Sequence, residues 1–138
     1  MNPQKAIKQI QSKFSGVGST EQIPLMNGKT YFKATLKHDG VEVDNLGTQK
    51  FLPWKVFEET VRLLSTAPDG KRRQKGNSHN GKLGDKLLPL DSIEGHIAAK
   101  VYGKPEGKSV FRRISPVAAL LSWASICDNG RGYLSLRS

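Results

Sequence analysis

No run of about 18 apolar residues occurs in this chain, and 14 glycines and 7 prolines punctuate its 138 residues. Membrane-spanning helix, coiled coil and collagen are excluded together, and substantial loop is expected. The apolar residues instead gather in short periodic runs, some with a step of two and others with steps of three and four, which is the pattern of a mixed α+β domain. The length suits one domain spanning 1–138, large enough to bury a core.

Asn2-Pro3 is a cap followed by a first-position proline, and Ile7, Ile10 and Phe14 follow at helical spacing. This predicts a basic N-terminal helix or arm over 1–19, closed by Ser15-Gly16-Val17-Gly18-Ser19. Residues 22–46 read as a small antiparallel meander. Asn27-Gly28 predicts a type I′ hairpin turn, Phe32, Ala34 and Leu36 alternate with Lys33, Thr35 and Lys37, and Asp39-Gly40 supplies a second turn. Pro53 opens a helix to about Leu64 whose buried stripe is Trp54, Phe57, Val61 and Leu64. Trp54 reads as a core anchor, with base stacking as the alternative.

No periodicity is visible between Thr66 and Lys86, a long basic loop rich in Gly and Asn. Loops of this length are often functional, and the other reading is a solvated insertion. A further helix is expected where Asp91 and Glu94 have capping-box spacing and Ile93, Ile97, Ala98 and Val101 form its stripe. Ser115-Pro116 then reads as the start of a last helix bearing Val117, Leu120, Leu121 and Ala124. Asp128-Asn129-Gly130-Arg131-Gly132 reads as a tight turn and Tyr133-Leu134-Ser135-Leu136 as a terminal strand.

Charge gives the first indication of a partner. The net charge is +10, and it is concentrated in one half: residues 1–70 carry 9 basic and 7 acidic side chains, residues 71–138 carry 13 and 5. Such a surplus suits a polyanion, with nucleic acid the commonest. In the long loop, Lys71, Arg72, Arg73, Lys75 and Lys82 can neutralise phosphates, and Asn77 and His79 can donate hydrogen bonds to them.

The run Arg112-Arg113-Ile114, Ala118-Ala119-Leu120-Leu121, Trp123-Ala124, Ile126 and Asn129-Gly130-Arg131-Gly132-Tyr133-Leu134 resembles the end of a winged helix–turn–helix domain. It is similar in rhythm to the N-terminal DNA-binding module of Mrr-type restriction proteins, over about a fifth of the chain. The resemblance implies a helical, winged-helix-like C-terminal half. It also implies that Arg112, Arg113 and Ser115 approach a DNA groove while Arg131 contacts backbone or minor groove. The function expected is non-catalytic duplex DNA binding, as a regulator or the recognition module of a restriction-type system.

Enzymatic readings are weaker. Gly76 to Lys82 fits G-x-x-x-x-G-K, but Leu83 follows where a P-loop needs a hydroxyl for magnesium. As a nest of backbone N–H groups, the segment remains a candidate for holding an anion. Pro68-Asp69 with Glu106-Gly107-Lys108 imitates the carboxylate-and-lysine order of metal-dependent nucleases, so Asp69, Glu106 and Lys108 define an alternative. A basic module for an acidic protein is a third. His38, His79 and His96 are too dispersed for a paired metal motif, and His79-Asn80 alone makes a poor HNH nuclease candidate. Cys127 stands alone, excluding an intrachain disulfide framework, and it reads as buried and inert. No cofactor or metal is implied. With no secretory signal visible, the expected compartment is cytoplasmic, with no membrane partner.

Overall fold

A computed structural model describes residues 1–68 and 72–137. The fold is α+β. In chain order it comprises α1 (Pro3–Ser12), β1 (Thr20–Pro24), β2 (Tyr31–Leu36), β3 (Gly40–Val43), β4 (Phe51–Pro53) and α2 (Trp54–Ser65). There follow β5 (Arg72–Gln74), α3 (Ile93–Lys100), α4 (Ile114–Trp123), β6 (Cys127–Gly130) and β7 (Tyr133–Leu136). Two antiparallel sheets result, one ordered β1-β2-β3-β4 and the other β5-β7-β6. No helix among the described residues is long and apolar enough to cross a membrane.

The expected first helix forms as its ends dictate: Asn2 Oδ1 accepts from the Lys5 N–H, and Pro3 occupies the first turn. It docks rather than extending as an arm. Ala6 and Ile10 are buried, Gln9 donates to the Ala124 carbonyl at 2.7 Å, and Phe14 meets Trp123 edge-on at 5.0 Å.

The meander is also as the alternation requires, with Ile23, Phe32, Ala34, Leu36, Val41, Val43 and Leu52 facing the core. Its first turn is not type I′. Gly28 has φ +70°, but Asn27 does not take positive φ; its side-chain oxygen instead accepts from the Lys29 and Thr30 N–H groups. The strands close only at the Pro24↔Tyr31 pair, so the loop is longer than two residues. The Asp39-Gly40 turn does form, and Gly40 faces Pro53 across β3 and β4. A Cβ at Gly40 would strike the Leu52 carbonyl oxygen and lie 2.8 Å from both the Phe51 ring and Pro53 Cα. Because two of those obstacles are backbone, Gly40→Ala is expected to lower stability by about 1–3 kcal/mol in a urea melt. An unchanged midpoint would show that the β3–β4 contact yields.

Trp54 serves as the anchor expected: its ring packs on the core beside Phe57 and its indole N–H donates to the His38 carbonyl at 2.9 Å. α4 packs against β1, α2 and β6. Ile114 and every residue from Pro116 to Leu121 are buried, and Ser115, Ser122 and Trp123 are half-buried, so most of the helix faces the core.

Three boundaries differ from expectation. α4 starts at Ile114, before Ser115-Pro116, and has no side-chain cap of its own. α3 is capped by Ser92 through the Gly95 N–H at 3.1 Å rather than by Asp91, so the capping box does not form. The turn expected over 128–132 shrinks to Arg131-Gly132, because Asp128, Asn129 and Gly130 pair with β7.

The long basic loop is the largest correction. Arg72–Gln74 pairs with Tyr133–Ser135 as an edge strand of the second sheet. Beyond it, Leu83 and Leu88 are buried with Ala98 and Val110 in a small second core. Backbone bonds from Asn77 to Leu87, Leu83 to Lys108 and Gly107 to Leu83 tie the segment down. Two leucines are sufficient to fold this polar stretch back onto α3.

Candidate nucleic-acid interface

The second sheet sets the position of Lys75. One residue past β5, its N–H donates to the Gly132 carbonyl at 2.8 Å, and its own carbonyl accepts from the Glu94 N–H at 2.9 Å. The side chain is half-buried and its Nζ donates to Asn129 Oδ1 at 2.5 Å. Burial first, and the charge of Arg112 second, hold the Lys75 ammonium below its usual pKa.

Arg112 is set by its neighbours in sequence. Val110 and Ile114 are buried, and the Arg113 backbone is pinned by Glu94, so the Arg112 side chain is turned outward and exposed. Arg131 projects from the two-residue β6–β7 turn, whose second residue, Gly132, has φ +79°. These three cations border one cavity of about 470 Å³, completed by Met26, Ile114 and residues 76–80. Among the described residues, no carboxylate lies within 4.0 Å of any of the three. Like charges gathered in one concavity with no ion-pair partner within 4.0 Å form a site of positive potential, and a multiply charged anion relieves that repulsion.

Lys75, Asn77, His79, Arg112 and Arg131 from the sequence reading therefore converge, and Ser115 lines an adjoining hollow with Lys75 and Arg112. Others lie elsewhere. Arg72 stacks its guanidinium 3.6 Å above the Tyr133 ring on the exposed side of the sheet. Arg73 turns towards the Leu63 carbonyl and, at 3.5 Å, towards Asp91. Lys82 is exposed beside Asp85, outside the cavity lining. Lys71 lies outside the described residues.

Arg113 is not a surface cation. It is 6% exposed, donates to the Phe111 carbonyl and to Gln49 at 2.7 Å, and stacks on Tyr102 at 3.7 Å. Its backbone N–H and that of Ile114 donate to the carboxylate of Glu94, which is 1% exposed. Glu94 thus caps α4 from another helix. Desolvation pushes its pKa up to about 7, against the opposing pull of those N–H groups and of Arg113 and Arg112.

The anion-holding nest considered for Gly76 to Lys82 is partly used up internally. Asn77 Oδ1 accepts from both the His79 and the Asn80 N–H at 3.1 Å, and the Asn77 carbonyl accepts from Gly81. Gly76 itself is obligatory: at φ +86°, an added Cβ would lie 2.6 Å from Ser92 Oγ.

Two of the three residues of the nuclease alternative can be placed. Glu106 and Lys108 lie in an exposed turn joined to Leu83, outside the cavity, and Asp69 lies outside the described residues. Among the described residues, no three His, Cys, Asp or Glu side chains stand close enough to hold a metal ion. His96 bonds Glu59 at 3.0 Å, and the Cys127 thiol is buried, with its pKa pushed up to about 12.

Sequence reasoning missed Met26 and Asn129. Their contacts with Lys75 span 49 and 54 residues, and Asn129 was read only as part of a turn. No protein-family model, curated protein or solved structure matches this chain.

Proposed function

We propose that this protein binds duplex DNA without cutting it, holding the phosphate backbone with Lys75, Arg112 and Arg131. The observation that carries the reading is the convergence of three cations from separate parts of the chain around one cavity, with no carboxylate beside them among the described residues. Arg72 and Lys82, exposed outside the cavity, add to the positive charge of this half of the chain.

The winged-helix resemblance is favoured by α3 and α4 leading into the β6–β7 hairpin, whose turn is Arg131-Gly132. In this reading the hairpin turn is the wing. α4 is not the groove-reading element, because most of it is spent on the core: Ile114 and Pro116–Leu121 are buried, and Ser115, Ser122 and Trp123 are half-buried. Contact falls instead to Arg112, just before the helix, and to Arg131. Phosphate contacts of this kind fix position and carry little sequence information by themselves.

The test is a salt titration of binding to a short duplex, with and without magnesium. Log affinity is expected to fall linearly with log salt, by about 0.9 per phosphate neutralised, so three contacts give a slope near 2.7. The duplex is expected to remain intact in magnesium. No binding at moderate salt would overturn the reading and turn attention to acidic proteins.

A further inference from the structure

The basic cavity is one end of a longer cleft whose other end is apolar. A second hollow of about 560 Å³ is walled by Leu25, Leu46, Phe111 and Pro116, with Asn45 at its edge. A smaller one of about 270 Å³ shares Met26, Lys75 and Arg112 with the basic cavity and Leu25, Arg112 and Ser115 with the apolar hollow. Arg112 borders all three. The cleft therefore offers cations at one end, apolar walls including an aromatic ring at the other, and hydrogen-bonding groups between.

A single nucleotide has that same division: an anionic phosphate joined to a flat base with apolar faces. A base stacked inside a duplex cannot reach such a recess, whereas an unpaired one turns out at little cost. The two larger hollows also fall in the size range of pockets that enclose small ligands.

We infer that the cleft receives one unpaired nucleotide of a DNA strand, with its phosphate on Lys75, Arg112 and Arg131 and its base against Leu25, Phe111 and Pro116. This rests on the DNA-binding reading and adds a structural preference to it.

The experiment compares a perfect duplex with the same duplex carrying a one-nucleotide bulge, using fluorescence anisotropy and the full chain. Seating one base against apolar and aromatic groups is expected to make the bulged duplex bind about tenfold more tightly. Asn45→Trp and Leu25→Trp, each filling the apolar end and checked for folding by thermal melting, are expected to abolish that preference. Asn45→Trp is expected to leave perfect-duplex affinity within about twofold, since the phosphate contacts remain. Equal affinity for the two duplexes, or a preference that survives both substitutions, overturns the inference while leaving duplex binding intact. Displacement of the bulged duplex by micromolar free thymidine monophosphate overturns the strand as the source of the nucleotide. Failure of both duplexes to bind overturns this inference together with the reading beneath it.

Discussion

Replacing Arg112 and Arg131 together by alanine is expected to weaken duplex binding at 0.1 M salt by roughly 60-fold. The size follows from counterion release. Two lost phosphate contacts lower the salt slope by about 1.8, and affinities that meet near 1 M salt then differ by about 1.8 log units a decade lower. Both side chains are exposed and neither has a carboxylate within 4.0 Å among the described residues, so the change in folding stability should be small, limited to the longer-range pull of Arg112 on Glu94. Lys5→Ala with Lys8→Ala is the matched control. It removes the same charge from exposed positions of α1, outside the cavity lining. Near-equal weakening by the two double variants would mean that only net charge matters, and the cavity would lose its claim to be the interface.

The second large effect concerns Glu94. Its carboxylate is the acceptor for the buried N–H groups of Arg113 and Ile114 at the start of a helix with no cap of its own. Glu94→Ala leaves both donors buried and unpaired, an expected loss of about 2–5 kcal/mol in a denaturant titration. Arg112 stands beside that helix start, so the variant should also weaken DNA binding under conditions where it remains folded. A loss below about 0.5 kcal/mol would show that water replaces the carboxylate there.

The same residue makes stability depend on pH. Its pKa rises from the ordinary 4.5 to about 7 in the folded protein. Between those values the folded state holds more protons than the unfolded state, so this contribution to stability is complete below about 4.5 and is lost as pH rises through 7. The loss is on the order of 3 kcal/mol, set by desolvation of the carboxylate outweighing its hydrogen bonds. Glu94→Gln removes the titrating group, so the stability profile of that variant should be flatter between pH 4.5 and 7.5. Identical profiles would assign the dependence to other groups.

Much of the first half was legible because its signals are local. The Asn2-Pro3 cap, the alternation from Phe32 to Leu36 and the stripe from Trp54 to Leu64 each require only a few neighbouring residues, and each element forms close to where it was expected. The basic half was legible as charge but not as geometry. Five cavity-lining residues, Lys75, Asn77, His79, Arg112 and Arg131, were identifiable by type, since only chemistry was being asked of them. Arg113 was indistinguishable from Arg112 by the same criterion, yet one is buried on Tyr102 and Gln49 and the other exposed.

Local spacing was therefore enough for the helix and strand periods of the front half and for the choice of a basic C-terminal surface. Everything that depends on partners distant in sequence was decided by packing: the pairing of Arg72–Gln74 with β7, the Lys75–Asn129 bond, the burial of most of α4 and its capping by Glu94. Such contacts join residues some 19 to 63 positions apart, and their free energy comes from apolar surface removed from water and from hydrogen bonds made in the interior only once the whole chain is folded.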